Sequence, residues 1–325
     1  MPERRLSSRA MKRSEPGSPG ADESEVKRSP PPLPALAFLA WLAAAVVLAL
    51  VPRSNDFDFL WYCARAVVAG DDPYTVVHTF SPWPLYYPLP AVLLVVPLAL
   101  LPLSAARFLW QLLLVGAFTW AMAKRGAYAL WALLSGAAIY TLLMGQITPL
   151  VVAGAVIPAL AWVLPVKPNS GLALFAGYPS RKAVIGGFAV VILSLAVLPR
   201  WPLEWLRAVR DSPHIIAPIQ RPFGWVLLLA ALRWRRPESR MLLALAIIPQ
   251  NLLLHETVAL ALVPASAREM AVYVAGTWVA LLYTMWLPMP VAPDIEPLIR
   301  ALWPVLLAGV YLPALFLVLR RPNAV

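Results

Sequence analysis

The sequence predicts an all-α polytopic membrane protein, and composition is the first reason. The chain has 325 residues, of which 61% are hydrophobic and only 13% are charged, and its mean hydropathy is +0.72. Soluble domains are usually about 45–50% apolar and about 25% charged. Several apolar runs also approach the roughly 20 residues with which a helix crosses a bilayer. We therefore expect a bundle of membrane-spanning helices surrounded by lipid.

Charge and cysteine content narrow the class of function. The basic residues behind the net charge of +11 gather at the ends of apolar runs, where the positive-inside rule places them. We therefore predict membrane lipids, and no nucleic acid, as partners. Cys63 is the single cysteine, which rules out an intramolecular disulfide and a cysteine-based metal site. His78, His214 and His255 are widely separated, so no metal site is predicted.

Residues 1–32 are polar and rich in Ser, Pro and charge, which predicts a disordered tail. The first apolar run begins near Leu33 without a small-residue cleavage pattern after it, so a cleavable signal peptide is not expected. Seven Lys and Arg residues in the tail predict a cytoplasmic N-terminus in a multi-pass protein of the plasma membrane. With a first span at about 33–51, the loop 53–86 would be extracytoplasmic.

The remaining apolar runs raise the number of candidate spans to ten, of which we expect about eight to ten to cross. An even number returns the C-terminus to the cytoplasm. Strict alternation, however, would place Arg125 and Arg233 outside, against the positive-inside rule. The proline-rich run 87–103 and the interrupted run 241–263 are therefore candidates for half-spans. The ten runs are 33–51, 87–103, 106–123, 126–144, 147–165, 183–199, 215–232, 241–263, 270–288 and 301–319.

The polar stretch 53–90 is the part of the sequence that most resembles a functional site. It opens with Asp56 and Asp58 and is rich in aromatic residues. Apolar residues recur at helical spacing over 57–69, and Gly70 is a typical helix stop, so a short helix is predicted there. Asp56 lies at the N-cap position, where an Asp can serve only to cap the helix, for about 1 kcal/mol.

Polar groups in apolar surroundings are costly and often line a cavity. Gln146 can form an interhelical hydrogen bond or contact a substrate. Lys167 can extend to the interface or bind an anion. His255 and Glu256 are adjacent and point to different helix faces, so we expect at most one to face a given cavity. Arg221 lies near the head of another apolar run.

Several short motifs occur in one order along the chain, and together they resemble the family 87 glycosyltransferases. These are GT-C-type enzymes that use polyprenyl-phosphate sugars and include bacterial mannosyltransferases. The resemblance is dense over about 53–170 and thin afterwards, and Leu89 stands where the family usually has a second Pro. The motifs are Asp56-Phe57, Ala64-Arg65-Ala66, Gly70-Asp71-Asp72-Pro73-Tyr74, Tyr87-Pro88-Leu89, the segment from Pro97 to Pro102, Gly145-Gln146 and Lys167-Pro168-Asn169.

The resemblance implies a GT-C-like helical bundle over residues 33–321. It also implies transfer of a hexose or pentose, mannose first, from a polyprenyl-phosphate donor to a lipid or glycan hydroxyl outside the cell. The chemistry would be inverting and independent of metals and other cofactors. Such a step needs a base for the acceptor proton and a cation for the leaving phosphate. Asp56 would be that base and Lys167 that cation. The other substrate-binding candidates are Asp58 (the alternative base), Tyr62, Arg65, Tyr87, Gln146 and His255.

A non-catalytic membrane transporter, or a lipid- or solute-binding protein, is the alternative. Transporters place their ionisable residues near the middle of the membrane. This chain concentrates carboxylates in a predicted outer loop instead, and that favours the enzyme.

Overall fold

The computed structural model describes residues 56–288 and 294–323, together with the isolated positions 38, 39, 42, 43 and 46. The predicted tail and most of the predicted first span lie outside the described residues. Within them the chain is all-α, as predicted. Apart from helices, the described part holds one isolated antiparallel bridge, between Ile216 and Gln250.

Thirteen α-helices lie in the described residues, and many are short. Proline explains much of this, because it fits the first helical turn but interrupts a helix interior, and eight of the thirteen carry Pro at their first or second position. The α-helices are α1 (Asp56–Ala69), α2 (Pro73–Val76), α3 (Leu89–Ala99), α4 (Leu103–Arg125), α5 (Gly136–Leu143), α6 (Thr148–Val156), α7 (Pro168–Gly177), α8 (Arg181–Val197), α9 (Trp201–Arg210), α10 (Pro237–Ile247), α11 (Ala267–Trp286), α12 (Glu296–Leu306) and α13 (Leu312–Arg320). The 3₁₀ segments are Val77–Thr79, Ala127–Leu134, Pro158–Val166, Pro218–Gln220, Gly224–Arg233 and Leu254–Leu262, and a π-helical segment, Leu307–Tyr311, joins α12 to α13.

The helix predicted in the first loop is confirmed as α1, with Asp56 as its first residue. It ends before Gly70, whose φ of +85° is a conformation that glycine adopts without strain. Phe57 and Leu60 are buried in the main core, so α1 packs into the bundle.

Two helical stretches are long and apolar enough to cross a membrane, Leu103–Arg125 and Glu296–Arg320. A third is reached if α8 and α9, bent by 101° at the break between them, are taken as one span. These stretches coincide with the predicted spans 106–123, 301–319 and 183–199. The described helices therefore include membrane-spanning candidates, although fewer than the eight to ten predicted.

Basic side chains from distant parts of the sequence meet at one end of the bundle, which we call the basic end. Arg125 donates to the carbonyl of Leu262 at 2.6 Å, and Arg321 donates to that of Val263 at 2.8 Å. Further contacts of the same kind join Arg233 to Leu319, Arg236 to Pro322, and Arg240 to Ala176 and Gly177. The positive charges that conflicted with strict alternation therefore lie on one side of the bundle.

The bundle accommodates this grouping because three apolar runs do not cross it from end to end. Both ends of 87–103 lie beside α1, since Trp61 donates to Leu98 at one end and Tyr87 contacts Asp56 at the other. Run 241–263 approaches the polar cluster described below and returns, because 249–251 interrupts it, as its sequence suggested.

The prediction of a single span at 147–165 is wrong. Thr148, at its start, accepts a hydrogen bond of 2.7 Å from Lys167, just beyond its end. The run is a hairpin of α6 and Pro158–Val166. The two arms approach closely at Gly154, where a Cβ would lie 2.7 Å from the side chain of Val163.

Helices α11 and α12–α13 pack closely where Gly276 faces Gly309. A Cβ on Gly276 would overlap the carbonyl oxygen of Gly309, and overpacking of this kind costs about 1–3 kcal/mol. We expect Gly276→Ala to lower the thermal unfolding temperature of the purified protein. Gly116→Ala on α4 is the matched control, because a Cβ there meets nothing within 4 Å. Equal stability of the two variants would contradict the close approach.

Candidate functional site

A group of buried and partly buried polar side chains lies where five segments converge. We call it the polar cluster: Asp56, Tyr87, Gln146, Thr148, Lys167, His255 and Glu256. Asp56 begins α1, and Tyr87 precedes α3. Gln146 and Thr148 lie at the turn between α5 and α6, Lys167 precedes α7, and the last two belong to Leu254–Leu262. Five of the eight site residues predicted from sequence are therefore brought together.

Asp56 is held at the edge of the cluster by its backbone. Its amide donates to the carbonyl of Met144 at 3.0 Å. The next residue, Gly145, has a φ of +64°, and its carbonyl accepts from the Trp110 indole at 2.9 Å. This tight turn fixes the start of α1 against the segment that carries Gln146.

The carboxyl group of Asp56 has a shifted pKa. Burial raises the pKa of Asp56 to about 6, although the charge of Lys167 and a hydrogen bond from Tyr87 act in the opposite direction. The Tyr87 hydroxyl lies 3.5 Å from Asp56 Oδ2. A group with a pKa close to neutral pH suits general base catalysis.

Gln146 links the two halves of the cluster. Its Oε1 accepts from the Tyr87 hydroxyl at 2.8 Å and from Lys167 Nζ at 3.4 Å. The interhelical hydrogen bonds considered from sequence are therefore present, and they lie beside Asp56.

Lys167 is a buried cation with a buried counter-ion. Its ammonium lies 3.1 Å from Glu256 Oε1 and 2.7 Å from Thr148 Oγ1, and it is only 6% exposed, so it does not extend to the interface. Asn169 donates to Glu256 Oε1 at 2.9 Å, and Ser170 donates to Oε2 at 2.8 Å. A buried charge needs such pairing to remain ionised.

His255 completes the cluster. Its Nε2 lies 3.2 Å from Glu256 Oε1, and its ring stacks on Tyr140 with centroids 6.2 Å apart. Both members of the adjacent pair therefore join the polar cluster, because the imidazole turns back onto its own neighbour. His255 Nδ1 is buried and has no hydrogen-bond partner among the described residues.

Three predicted site residues lie outside the polar cluster. Asp58 forms a buried, two-pronged ion pair with Arg107, with distances of 2.7 and 2.5 Å, so its place is structural. Tyr62 is 45% exposed and packs against Phe80, with ring centroids 5.3 Å apart. Arg65 is exposed, and its guanidinium lies 5.0 Å from the centre of the Trp61 ring.

Sequence reasoning missed several members of the site. Glu256 was noticed only as the neighbour of His255. Asn169 belongs to the Lys-Pro-Asn motif, but only the lysine of that motif was predicted to be a site residue. Thr148 and Ser170 carry no sequence signal, because small hydroxyl residues are common in apolar helices as internal hydrogen-bond donors.

The arrangement combines a proton acceptor, a fixed cation and neutral hydrogen-bonding groups in a site largely removed from water. Among the described residues, no group of three or more His, Cys, Asp or Glu is placed to hold a metal ion. Independence of metals stays a prediction.

None of the protein families, curated proteins or solved structures compared with this chain matches it. The resemblance to family 87 glycosyltransferases therefore rests on the motifs alone. The functional conclusion must come from the geometry of the polar cluster.

Proposed function

We propose that this chain is an integral-membrane glycosyltransferase that moves a sugar, mannose first, from a polyprenyl-phosphate donor to a lipid or glycan hydroxyl. The observation that carries the proposal is the placing of Asp56, with a pKa of about 6, in one buried cluster with Lys167. A base and a cation in a site poor in water are what transfer from a phosphate needs.

The residues divide the reaction between them. Asp56 accepts the proton of the acceptor hydroxyl as that oxygen attacks C1 of the sugar. The bond between C1 and the phosphate oxygen breaks, and its electron pair leaves with polyprenyl phosphate. Lys167 faces the departing phosphate, and Glu256 holds Lys167 charged and in place. The configuration at C1 inverts, because attack and departure take place on opposite sides.

Glu256 also limits what Lys167 can bind. A carboxylate 3.1 Å from the ammonium already offsets its charge, so a phosphate gains less there than beside an unpaired lysine. This favours release of the phosphate after transfer. His255 Nδ1, which is buried and has no hydrogen-bond partner among the described residues, is available to hold the phosphate or the sugar by a neutral hydrogen bond.

The orientation in the membrane follows from the basic end. We assign the basic end to the cytoplasm, which puts α1 and the polar cluster toward the extracytoplasmic face.

Cysteine labelling tests this orientation. In a Cys63→Ala background, we expect a membrane-impermeant thiol reagent on intact cells to label Thr75→Cys, because Thr75 is exposed beside α1. We expect no labelling of Arg235→Cys, which is exposed at the basic end, or of Ser18→Cys in the tail. Labelling of positions 235 and 18 alone would invert the topology and remove the argument for a lipid-linked donor.

The rate of transfer should depend on pH through Asp56. The base works only when deprotonated, and burial raises the pKa of Asp56 to about 6. We therefore expect kcat/KM to fall as pH drops below 6 and to level off above 7. An acid limb centred near pH 4, where an ordinary Asp titrates, would mean that Asp56 is not the group observed.

The proposal itself is tested with the purified chain in lipid nanodiscs and a panel of polyprenyl-phosphate sugars. We expect one of the donor sugars to give release of polyprenyl phosphate, and we expect that release to require an added acceptor extract. A proton-coupled carrier is the second candidate, because buried ionisable groups also mark solute pathways. A carrier would move solute across proteoliposomes and release no polyprenyl phosphate.

A further inference from the structure

A separate cavity opens beside the polar cluster, between the segment that leads into α3 and helix α9. Its volume is about 460 Å³, within the range of roughly 300–1,000 Å³ typical of small-molecule sites. Tyr86 and Tyr74 line it on one side, and Glu204, Arg207 and His214 line it on the other. None of these residues belongs to the polar cluster.

His214 is the group in this cavity whose bonding is incomplete. The residue is only 2% exposed, and its Nε2 is buried without a hydrogen-bond partner among the described residues. Leaving a buried polar group unpaired costs free energy. Burial also lowers the pKa of His214, so its ring is neutral at pH 7 and offers one N–H and one lone pair. A ligand hydroxyl can satisfy the unpaired Nε2.

The charges of the cavity select against anions. Three carboxylates, from Glu204, Asp211 and Asp294, line it together with one guanidinium, from Arg207. That guanidinium is already paired with Glu204 at 2.9 Å. A phosphate or carboxylate ligand would therefore meet net negative charge. Neutral hydroxyl groups, in contrast, can donate to carboxylates of this kind.

Aromatic rings complete the lining. The Tyr86 ring meets the His214 ring edge-on, with centroids 5.6 Å apart. Trp205 of α9 donates its indole N–H to the Tyr86 carbonyl at 2.9 Å, which holds this wall in position. Aromatic faces beside carboxylates and a neutral imidazole suit a ring that is apolar on one face and carries hydroxyls at its edge.

The cavity is coupled to the polar cluster through the chain itself. Tyr86 lines the cavity, and Tyr87, the next residue, contacts Asp56 and Gln146. The Tyr74 hydroxyl, from the cavity wall, donates to the Tyr87 carbonyl at 3.0 Å. A molecule in the cavity therefore lies against the segment that carries part of the polar cluster.

We infer that this cavity binds a neutral pyranose ring of the sugar acceptor and presents the acceptor toward Asp56. That the bound sugar is the acceptor rests on the proposed function. That the cavity binds a neutral sugar rests only on the residues that line the cavity. The lipid donor, with its anionic phosphate, belongs at Lys167, and the uncharged saccharide belongs beside His214.

Saturation-transfer NMR on the full chain in nanodiscs tests the binding, with methyl α-mannoside, methyl α-glucoside and methyl β-galactoside as neutral probes and glucuronate as the anionic one. We expect transfer to at least one neutral glycoside and an affinity for glucuronate at least tenfold lower. Ala208→Trp, which fills the cavity from α9, and His214→Leu should each weaken glycoside binding at least tenfold. Leu203→Trp, on an exposed face of α9, should leave it unchanged.

The outcomes separate this inference from the proposed function. No transfer to any neutral glycoside, or equal affinities in wild type and Ala208→Trp, would overturn the cavity assignment even if the chain transfers sugar. Competitive displacement of the glycoside by a polyprenyl-phosphate sugar would overturn the acceptor assignment, because the donor sugar would then occupy the cavity. Glycoside binding that is intact in an Asp56→Asn variant, and blocked by Ala208→Trp, supports the inference whether or not transfer is detected.

Discussion

Asp56→Asn is expected to reduce sugar transfer by about 10²–10⁴-fold, the usual contribution of a general base. Asn has nearly the same shape and cannot accept the proton. Donor affinity should change little, because the phosphate is assigned to Lys167. The fold should also survive, since the contact that fixes the start of α1 is made by the Asp56 backbone amide. The measurement is kcat together with donor Kd for the purified variant.

Two other carboxylates of the first loop serve as controls. Asp71→Asn changes an exposed residue and should behave as wild type. Asp58→Asn removes the partner of a buried guanidinium, so it should lower the unfolding temperature. The activity per folded molecule should stay that of the wild type. If Asp58→Asn abolished transfer in fully folded protein and Asp56→Asn did not, the base would be misassigned.

Lys167→Gln should act on stability and on donor binding together. It leaves Glu256 charged and buried without its cation, and breaking a buried pair from one side costs about 3–5 kcal/mol. It also removes a charged hydrogen-bond donor to the phosphate, worth about 1.5–3 kcal/mol, which corresponds to roughly 10–100-fold in Kd. Thermal unfolding and equilibrium binding of a polyprenyl-phosphate sugar measure the two effects.

A double variant separates these effects. In Lys167→Gln/Glu256→Gln neither charge remains, so much of the stability should return while donor affinity stays low. The pair Arg221–Glu296, 2.6 Å apart and outside the polar cluster, provides the matched control. Arg221→Gln should destabilise the protein without changing donor affinity. Recovery of full donor affinity in the double variant would show that Lys167 is only a structural partner of Glu256.

The local parts of this structure could be predicted from sequence, because the signals for them are local. Helical spacing and Gly70 predicted α1 to within one residue. The prolines and the polar break at 249–251 marked two runs as half-spans. The hairpin at 147–165 had a weaker signal, because Pro158 at its turn stands in a run of otherwise apolar residues that looks like a continuous span.

The site was predictable as a set of unusual residues but not as a set of contacts. Lys167 and Gln146 stood out because polar groups are costly in apolar surroundings. The ion-pair partner of Lys167, Glu256, lies 89 positions further along the chain, and nothing local indicates which distant charge will meet a buried one. Asp58 shows the converse, since its spacing from Asp56 did not reveal that Arg107 neutralises it.

The central claim is that the polar cluster transfers a sugar from a lipid phosphate to a hydroxyl, and a mass balance tests it most directly. Proteoliposomes containing the wild-type chain would receive a polyprenyl-phosphate mannose labelled in the sugar, together with a defined glycolipid acceptor. We predict one equivalent of polyprenyl phosphate for each labelled mannose found on the acceptor, and neither product with Asp56→Asn. Labelled sugar that crosses the membrane still attached to its lipid, or equal product from wild type and Asp56→Asn, would contradict the account.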